Sequence, residues 1–342
     1  MADVERSPRL QDVADSAGVS LATASRALAG RDGVSLGLAQ RVRDVAASLG
    51  YVPNAHARAL AGAAQPMVGL IVHDVADPYF AEIAKGVLRV ADEHGLMVLI
   101  NQSERRPEIE LARIRSLRAH RVASIVMAGS GYVDASEEAE AAAELRAFRD
   151  AGGRVATVGR HHVPVDAVLP DNYAGGRTAA RHLLQLGHRR IAVAAGPELL
   201  STVADRLAGV LDELSDAGVP RSDVVIERDA FSRDGGVAAT KRLLERAERP
   251  TAILALTDVM AMGALSVLRE AGRAVPAEIS VMGFDDVTVA ADLAPALTTV
   301  RLPMADMGAM ALQLTLRPPA ARPRRRRTGH ELVIRDSTAP AR

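Results

Sequence analysis

The 342-residue sequence contains no cysteine, which excludes disulfides, thiolate nucleophiles and cysteine-ligated zinc sites. It also lacks any apolar run near the ~20 residues that a membrane-spanning helix needs. The N-terminal segment interleaves acidic side chains and holds no apolar stretch of the kind found in a secretory signal. These absences predict a cytoplasmic globular protein without membrane contact, and the length favours two or three domains.

Net charge is absent as well, and aromatic residues are few. The chain carries 42 basic and 42 acidic residues, and residues 1–66 hold seven arginines against six acids. A nucleic-acid-binding domain is usually strongly basic, so the composition gives no sign of DNA binding. Evidence for DNA binding must come from the arrangement of the predicted helices. With only four phenylalanines in the chain, each one near a predicted strand end is a candidate ligand contact.

Matches to the motifs of common enzymes are either incomplete or lie in the wrong structural context. Gly33–Gly37 satisfies the G-x-S-x-G pattern, but that elbow needs a strand before it, and this stretch lies between two predicted helices. Neither Lys85 nor Lys241 follows a glycine, so no phosphate-binding Walker loop exists. His330-Glu331 lacks the second histidine of a zinc protease. We therefore predict no catalytic residues, no metal site and no cofactor.

Three short helical patterns occupy the N-terminal 50 residues. The first covers Leu10–Ala17, the second runs from Leu21 to about Leu28, and the third covers Leu38–Leu49. Between the first two, Gly18 can take the positive φ of a tight turn, and Ser20 is a good N-cap. This is the outline of a helix-turn-helix unit, whose second helix enters the major groove of DNA, although any small helical bundle gives the same pattern.

From Met67 onward, short apolar runs alternate with amphipathic stretches, which is the βαβ rhythm of a parallel sheet. The runs are MVGLIV, LMVLI, ASIVMAG, RVATV, IAVAAG, DVVIE, TAILAL and ISVMGF. Their number fits two doubly wound units better than one. The sequence thus predicts a multidomain chain, with an all-α headpiece and an α/β core of two Rossmann-like lobes.

Several blocks resemble the lactose-repressor (LacI/GalR) family in order and spacing. They include RLQDVADSAGVSLATASRAL, SLGYVPNAHARALAG, MVGLIVHDVADPYFAEIAKGV, LLQLGHRRIAVAAGP, ISVMGFDD and LTTVRLPMADMGAMA. The resemblance implies a repressor that binds a palindromic DNA operator as a homodimer, or as a tetramer, with a core similar to periplasmic sugar-binding proteins. It also implies that a small-molecule effector controls operator affinity. That effector would be a sugar or related polyol, with a nucleobase or nucleoside as the alternative.

The second predicted helix carries the candidate base-reading side chains. By the resemblance, its DNA contacts are Ser20, Leu21, Ala22, Thr23, Ser25 and Arg26. Arg26 has the planar guanidinium that pairs with O6 and N7 of guanine, while Ala22 offers apolar contact alone. The alternative interpretation of Arg26 is a solvated helix arginine.

Residues 51–66 resemble the family hinge, in which a short helix forms only on DNA and a leucine enters the minor groove. Leu60 holds that position, and Asn54 and Ala59 are the other predicted contacts. An apolar wedge partly unstacks a base step, and the bent DNA then contacts more protein. The alternative is a linker leucine that packs on the core.

The effector is expected in the crevice between the lobes, outside the carboxyl ends of their strands. Phe80, Phe231 and Phe284 lie near predicted strand ends, and a ring face suits the C–H surface of a sugar or a base. Arg206 and Asp285 match positions that hydrogen-bond effectors in the family, although helix capping or structural pairing would explain each as well. The weaker candidates are Asp74, Tyr79, Asp171, Thr202, Thr257 and Asp258.

We predict a helix-turn-helix domain at residues 1–50, a hinge at 51–66 and a core at 67–342. The first lobe would comprise about 67–165 and 298–326, and the second about 166–297 and 327–342. We interpret the arginine-rich run 317–327 as a solvated structural connection, although clustered arginine also suits nucleic acid. The pair His161-His162 departs from the family pattern, and the sequence assigns it no role.

Two other functions share the pattern of the core. A solute-binding protein has the same two-lobed fold, but the predicted headpiece and the missing secretory signal argue against it. A sugar-metabolising enzyme of this fold class would need a nucleophile, a metal cluster or a phosphate loop. The sequence therefore favours an effector-controlled DNA-binding regulator.

Overall fold

The computed structural model describes residues 8–30, 32–51, 66–246 and 249–341. The chain forms two compact units, one that ends at Pro66 and one that begins at Met67. Among the described helices, none has both the length and the apolar character needed to cross a bilayer. The predicted hinge contacts Asn54, Ala59 and Leu60 lie outside the described residues, so their roles stay predictions.

In the described part of the first unit, three helices pack around a small apolar core. They are α1 (Leu10–Ala17), α2 (Leu21–Leu28) and α3 (Leu36–Ser48). Val13, Ala14, Ala24 and Val42 are fully buried at their centre. Small side chains allow such short helices to approach closely, and tertiary packing stabilises helices that would be marginal alone.

The turns between these helices follow the predicted chemistry. Gly18 ends α1 with a φ of 64°, and the Ser20 hydroxyl caps α2 by accepting a hydrogen bond from the Thr23 N–H at 3.1 Å. The first two predicted helices are confirmed. The third starts two residues before Leu38, because Ser35 caps it by accepting from the Leu38 N–H.

The first lobe of the core is built on a parallel sheet. Within the described residues its strands are β1 (Met67–Val72), β2 (Met97–Gln102), β3 (Ser124–Ala128), β4 (Arg154–Val158), β5 (Asp166–Leu169) and β11 (Arg325–Arg327), in the spatial order β11-β5-β4-β3-β1-β2. Its helices are α4 (Pro78–Glu93), α5 (Pro107–Ala119), α6 (Ala139–Asp150) and α11 (Met304–Leu316). Strands covered on both faces are mainly apolar, as β1 and β3 are, and β3 is buried at every position.

The second lobe repeats this arrangement on a smaller sheet. Its described strands are β6 (Ile191–Ala195), β7 (Val225–Arg228), β8 (Ala252–Ala255) and β9 (Ser280–Met282), in the order β7-β6-β8-β9. Its helices are α7 (Asn172–Gln185), α8 (Ser201–Asp216), α9 (Arg233–Glu245) and α10 (Asp258–Glu270). All pairs in both of these sheets are parallel, so the predicted pair of α/β lobes is confirmed.

Two predicted lobe boundaries are corrected by strand pairing. The segment Asp166–Leu169 was predicted for the second lobe. It pairs with β4 instead and so extends the first sheet by one strand. The strand β10 (Thr299–Arg301), predicted for the first lobe, pairs antiparallel with β12 (Glu331–Val333) instead. The chain therefore leaves the first lobe after Leu169 and returns to it at α11.

Part of the arginine-rich run is a strand rather than a loop. Arg325–Arg327 form β11, the exposed edge of the first sheet, with Arg326 paired in register to Val168. Arg324 anchors the run, because its backbone N–H and its guanidinium both donate to the Asp166 carboxylate. Charged side chains on an edge strand discourage pairing with other chains, which fits a structural role.

Candidate functional site

Helix α2 exposes three of its five predicted DNA contacts. Leu21, Ala22 and Arg26 are exposed, whereas Ala24 and Ala27 on the opposite side are buried against the headpiece core. The small side chain at Ala22 lets the backbone approach a partner closely. This face has the shape and the donor group that base reading in a major groove requires.

The remaining residues of the helix set its start and its conformation. The Ser20 hydroxyl lies 2.8 Å from the Thr23 hydroxyl, and Thr23 and Ser25 are half-buried. The Arg26 Nε donates to the Ala22 carbonyl at 3.3 Å, which directs the guanidinium along the helix surface. Within the described residues Arg26 has no carboxylate partner, so its charge is available to a ligand.

A small cavity of about 30 Å³ lies between the two lobes of the core. In this arrangement of the lobes the cavity is far smaller than a typical small-molecule site. Seven of the predicted effector contacts line it, namely Tyr79, Phe80, Thr202, Arg206, Phe231, Thr257 and Asp285. The cavity therefore gathers aromatic rings, hydroxyls and a charged pair from segments far apart in sequence.

Arg206 is the most strongly held side chain of the cavity, with only 2% of its surface exposed. Its guanidinium donates to Asn172 Oδ1 at 2.9 Å, to the Leu256 carbonyl at 2.6 Å and to Asp285 Oδ1 at 2.7 Å. It also stacks over the Phe284 ring at 3.8 Å. Phe284 thus lies behind the cavity wall and fixes the guanidinium plane rather than lining the space itself.

Asp285 is held in a strained backbone conformation at the end of β9. Its φ of 114° is rare for a residue with a side chain, and such strain concentrates at ligand sites. Burial raises the pKa of Asp285, while Arg206 and a hydrogen bond from the Thr257 hydroxyl at 2.9 Å oppose that effect. The result is a fixed acceptor beside a fixed donor, which suits a ligand rich in hydroxyl groups.

Arg105 closes the cavity from the first lobe. Its guanidinium lies 5.9 Å from the ring centres of Phe80 and Phe231, which belong to opposite lobes, and 3.7 Å from Asp77. Burial lowers the pKa of Arg105 and raises that of Asp77 to about 6. No described residue accepts a hydrogen bond from this guanidinium, so its donors can serve a bound ligand.

Four cavity residues were not predicted from the sequence: His73, Asp77, Arg105 and Ser130. Each of them follows the carboxyl end of a first-lobe strand. Ligands of open α/β sheets bind at these ends, so this position could have identified the four residues from the sequence. The His73 Nε2 lies 3.0 Å from the Ser130 carbonyl, and burial lowers the pKa of His73 to about 3, so the ring is neutral. Its edge packs on Phe80, which holds that ring in place.

Asp258, a predicted effector contact, lies outside the cavity. Its carboxylate is fully buried and accepts from the Thr299 hydroxyl at 2.6 Å and from the Val287 N–H at 2.8 Å. Burial raises the pKa of Asp258 well above its ordinary value. The side chain joins α10 to β10, and its role as an effector contact stays a prediction.

Asp74 and Asp171 are also outside the cavity. Asp74 accepts from the Ala76 N–H at 2.9 Å and shapes the turn after β1. Asp171 precedes α7 and pairs with His330 at 3.2 Å. Each carboxylate makes a local contact, and the roles of both residues as effector contacts stay predictions.

Residues 9–54 match the family described as bacterial regulatory proteins, lacI family, and residues 180–338 match a periplasmic binding protein-like domain. The chain is 34% identical over 334 residues to the HTH-type transcriptional regulator DegA of Bacillus subtilis, which covers 97% of this chain and 98% of DegA. The headpiece and the core thus match together along one relative.

Solved structures agree along the same length. The lac repressor dimer bound to operator and the anti-inducer ONPF is similar with a TM-score of 0.84 and 27% identity, covering 98% of this chain and all of that chain. The complex of the transcriptional regulator CelR with cellobiose is similar with a TM-score of 0.70 and 31% identity, covering 96% and 99%. The chain belongs to the lacI family of bacterial regulatory proteins.

Proposed function

We propose that this protein is a transcriptional repressor that binds a palindromic operator as a homodimer. Its affinity for the operator would depend on whether a sugar is bound. The observation that carries the proposal is the buried Arg206–Asp285 pair in a cavity with aromatic walls, in a chain that also has an exposed recognition helix. Effector binding would favour one arrangement of the two lobes, and this shift would change operator affinity. Whether the effector induces or corepresses is an outcome of the experiments below.

A sugar is the effector class that the cavity suits best. The rings of Phe80 and Phe231 can cover C–H faces, while Arg206 and Asp285 supply a donor and an acceptor for hydroxyl groups. The similar CelR structure holds cellobiose, which supports the sugar class for this chain.

A thermal-shift screen tests the effector class. Full-length protein is heated with neutral monosaccharides, disaccharides and nucleosides in separate wells. A ligand at 100 times its Kd stabilises by about 2.7 kcal/mol, so the right sugar raises Tm by several degrees. The control variant Thr288→Ala, outside the cavity, keeps the shift. A Tm shift caused by a nucleoside alone would show that the effector is a nucleoside and not a sugar. If no ligand shifts Tm, effectors of all these classes are contradicted.

The homodimer is proposed to use an apolar face of the first lobe. Val75, Leu88, Met97 and Ile100 lie on and beside α4 and β2, and each exposes 40–56% of its surface. They flank a groove that four charged side chains of α4 also line, and β2 is an edge strand of the sheet within the described residues. A second copy is the expected occupant, since the similar lac repressor structure is a dimer.

The double variant Leu88→Glu/Ile100→Glu is expected to convert the dimer into a monomer. Two charges per copy placed in a buried apolar interface would lack partners and cost several kcal/mol. Light scattering after size exclusion measures the mass directly. Ile334→Glu, another exposed apolar position, is the control and leaves the dimer intact. A double variant that stays dimeric would move the interface to a different face, and a tetrameric wild type would add a second interface.

We propose that residues 51–66 act as the hinge and that the protein acts on chromosomal DNA in the cytoplasm, associated with the nucleoid. We also propose that it has no enzymatic activity. The polar groups of the cavity support this, because Arg206, Asp285 and Thr257 are hydrogen-bonded to one another in fixed positions. Such an arrangement suits binding, and incubation with the identified effector should return it unchanged.

A further inference from the structure

A buried charged cluster lies behind the effector cavity, in the first lobe. Its members are Glu110 on α5, Glu138 before α6 and His161 after β4, whose side chains are only 2–4% exposed. Glu110 and His161 line the same small void between these elements. The His161 Nδ1 lies 3.1 Å from Glu138 Oε1, and its Nε2 lies 3.2 Å from the Gly129 carbonyl. The Nε2 bonds to a carbonyl, and the Nδ1 faces a carboxylate whose charge raises the pKa of His161 and so favours the positively charged imidazole.

The Glu138 carboxylate fastens two loops to each other. Its Oε1 accepts from the Tyr132 N–H at 3.0 Å, in the loop after β3, and its Oε2 accepts from the His162 N–H at 2.6 Å, in the loop after β4. Gly131 lies where the loops meet, and a Cβ there would collide with the Arg160 carbonyl and with Glu138. The two loops therefore form one unit, and the cluster is its anchor.

These loops make the first lobe's contacts with the start of α8 in the second lobe. The Ser201 N–H donates to the Gly131 carbonyl, and the Thr202 N–H donates to the Ser130 hydroxyl, both at 2.9 Å. The Arg160 guanidinium pairs with Asp205 at 2.8 Å. Because α8 also carries Thr202 and Arg206 into the cavity, the anchored loops set the position of its polar wall.

We propose that Glu138 and His161 are positioning residues that hold the two lobes in register at the start of α8, and that Glu110 makes this contact sensitive to pH. The proposal rests on the proposed function only in taking the nearby cavity as the effector site. It gives a role to His161, which the sequence left without one.

The charges around the cluster determine the sign of the effect. With His161 positive and Glu138 negative, a protonated Glu110 leaves the cluster neutral, and an ionised Glu110 adds an unbalanced negative charge. The other titratable groups that face the cluster are His73, Arg105 and Tyr132, with Glu137 and Glu108 near the Tyr132 hydroxyl. His73 is neutral, so it does not balance that charge.

Glu110 changes its charge near neutral pH. Burial, helped by the charge of Glu138, raises the pKa of Glu110 to about 7, whereas His161 opposes the rise. Burial alone would lower the pKa of His161, but the hydrogen bond and charge of Glu138 and the charge of Glu110 raise it. The folded chain thus holds a proton on Glu110 that the unfolded chain releases near 4.5, so stability falls as pH rises from there through about 7.

The test compares the full-length wild type with Glu110→Gln, which keeps the neutral form, and with the exposed control Glu108→Gln on the same helix. Unfolding temperature and hydrogen exchange of residues 129–133 and 199–206 are followed from pH 5.5 to 8.5, with exchange corrected for intrinsic rates. Wild type and the control should lose protection by up to about tenfold between pH 5.5 and 7, with little further loss above pH 7. Glu110→Gln should show no such loss in either segment.

His161→Gln is the second variant, should the first fail to fold. Removing the positive charge should move the pH transition upward, because His161 favours the ionised form of Glu110. A Glu110→Gln profile like that of wild type, a loss of the transition in the control, or protection changes that spare 199–206 would overturn the proposal. Neither measurement uses DNA or effector, so its result is separate from the test of the proposed function.

Discussion

Replacing Arg206 with alanine is expected to abolish effector binding and to destabilise the core by about 3–5 kcal/mol. The variant leaves the Asp285 carboxylate buried without its cationic partner, and it also strips a donor from Asn172 and from the Leu256 carbonyl. A domain of this size then melts on the order of 10 °C lower. Thermal unfolding with and without the sugar found in the screen measures both effects.

The matched control is Arg181→Ala. Arg181 pairs with Glu213 on the surface of the same lobe, at 2.6 Å and with half of its side chain exposed. Arg181 is half exposed and Glu213 keeps a second partner in Arg177, so this variant should lose only about 1 kcal/mol and keep its effector response. Equal unfolding temperatures for the two alanine variants would contradict the role given to the buried pair.

Arg26→Ala is expected to remove most of the sequence preference for the operator. A bidentate arginine–guanine contact discriminates by about 1–3 kcal/mol, and a dimer loses two of them, which is roughly 30-fold to 10⁴-fold in affinity. Fluorescence anisotropy with a selected operator and with bulk DNA measures specific and non-specific binding separately. Arg43→Ala, an exposed arginine on α3 that bonds to Gln40, serves as the control.

The pattern of the loss identifies the contact that Arg26 makes. A base contact lowers affinity for the operator and leaves bulk DNA nearly unchanged. A phosphate contact weakens both and reduces the salt dependence by about one charge per headpiece. An Arg26→Ala variant with full operator affinity would show that the exposed face of α2 does not read the DNA.

The headpiece was predictable because its signals are local. Gly18 and Ser20 mark the turn and the cap by their own chemistry, so the first two helices matched to the residue. The third began early because Ser35 acts as a cap, and a serine followed by leucine and glycine has no hydrophobic periodicity to reveal it. Strand Asp166–Leu169 was assigned to the wrong lobe for a similar reason, since a short apolar segment does not specify its partner.

Tertiary contacts decided the rest of the site. Asp258 and Asp285 each follow a strand and look alike in sequence, yet one ties α10 to β10 and the other pairs with Arg206. Arg105 resembles many other arginines in the sequence, and only the fold places it between two aromatic rings. His161 was conspicuous in the sequence, but its partner Glu138 comes from another element, which periodicity cannot show.

Operator selection from a pool of randomised palindromic duplexes, at physiological salt, tests the central claim most directly. The winning duplex is then titrated by fluorescence anisotropy in the presence and absence of the sugar from the thermal screen. We expect it to bind at least about 10³-fold tighter than bulk DNA, and the sugar to change that affinity by roughly 5-fold to 150-fold. If the protein prefers no duplex over bulk DNA, either alone or with any ligand of the panel, the account is contradicted. That result would favour a solute-binding protein with the same two-lobed fold.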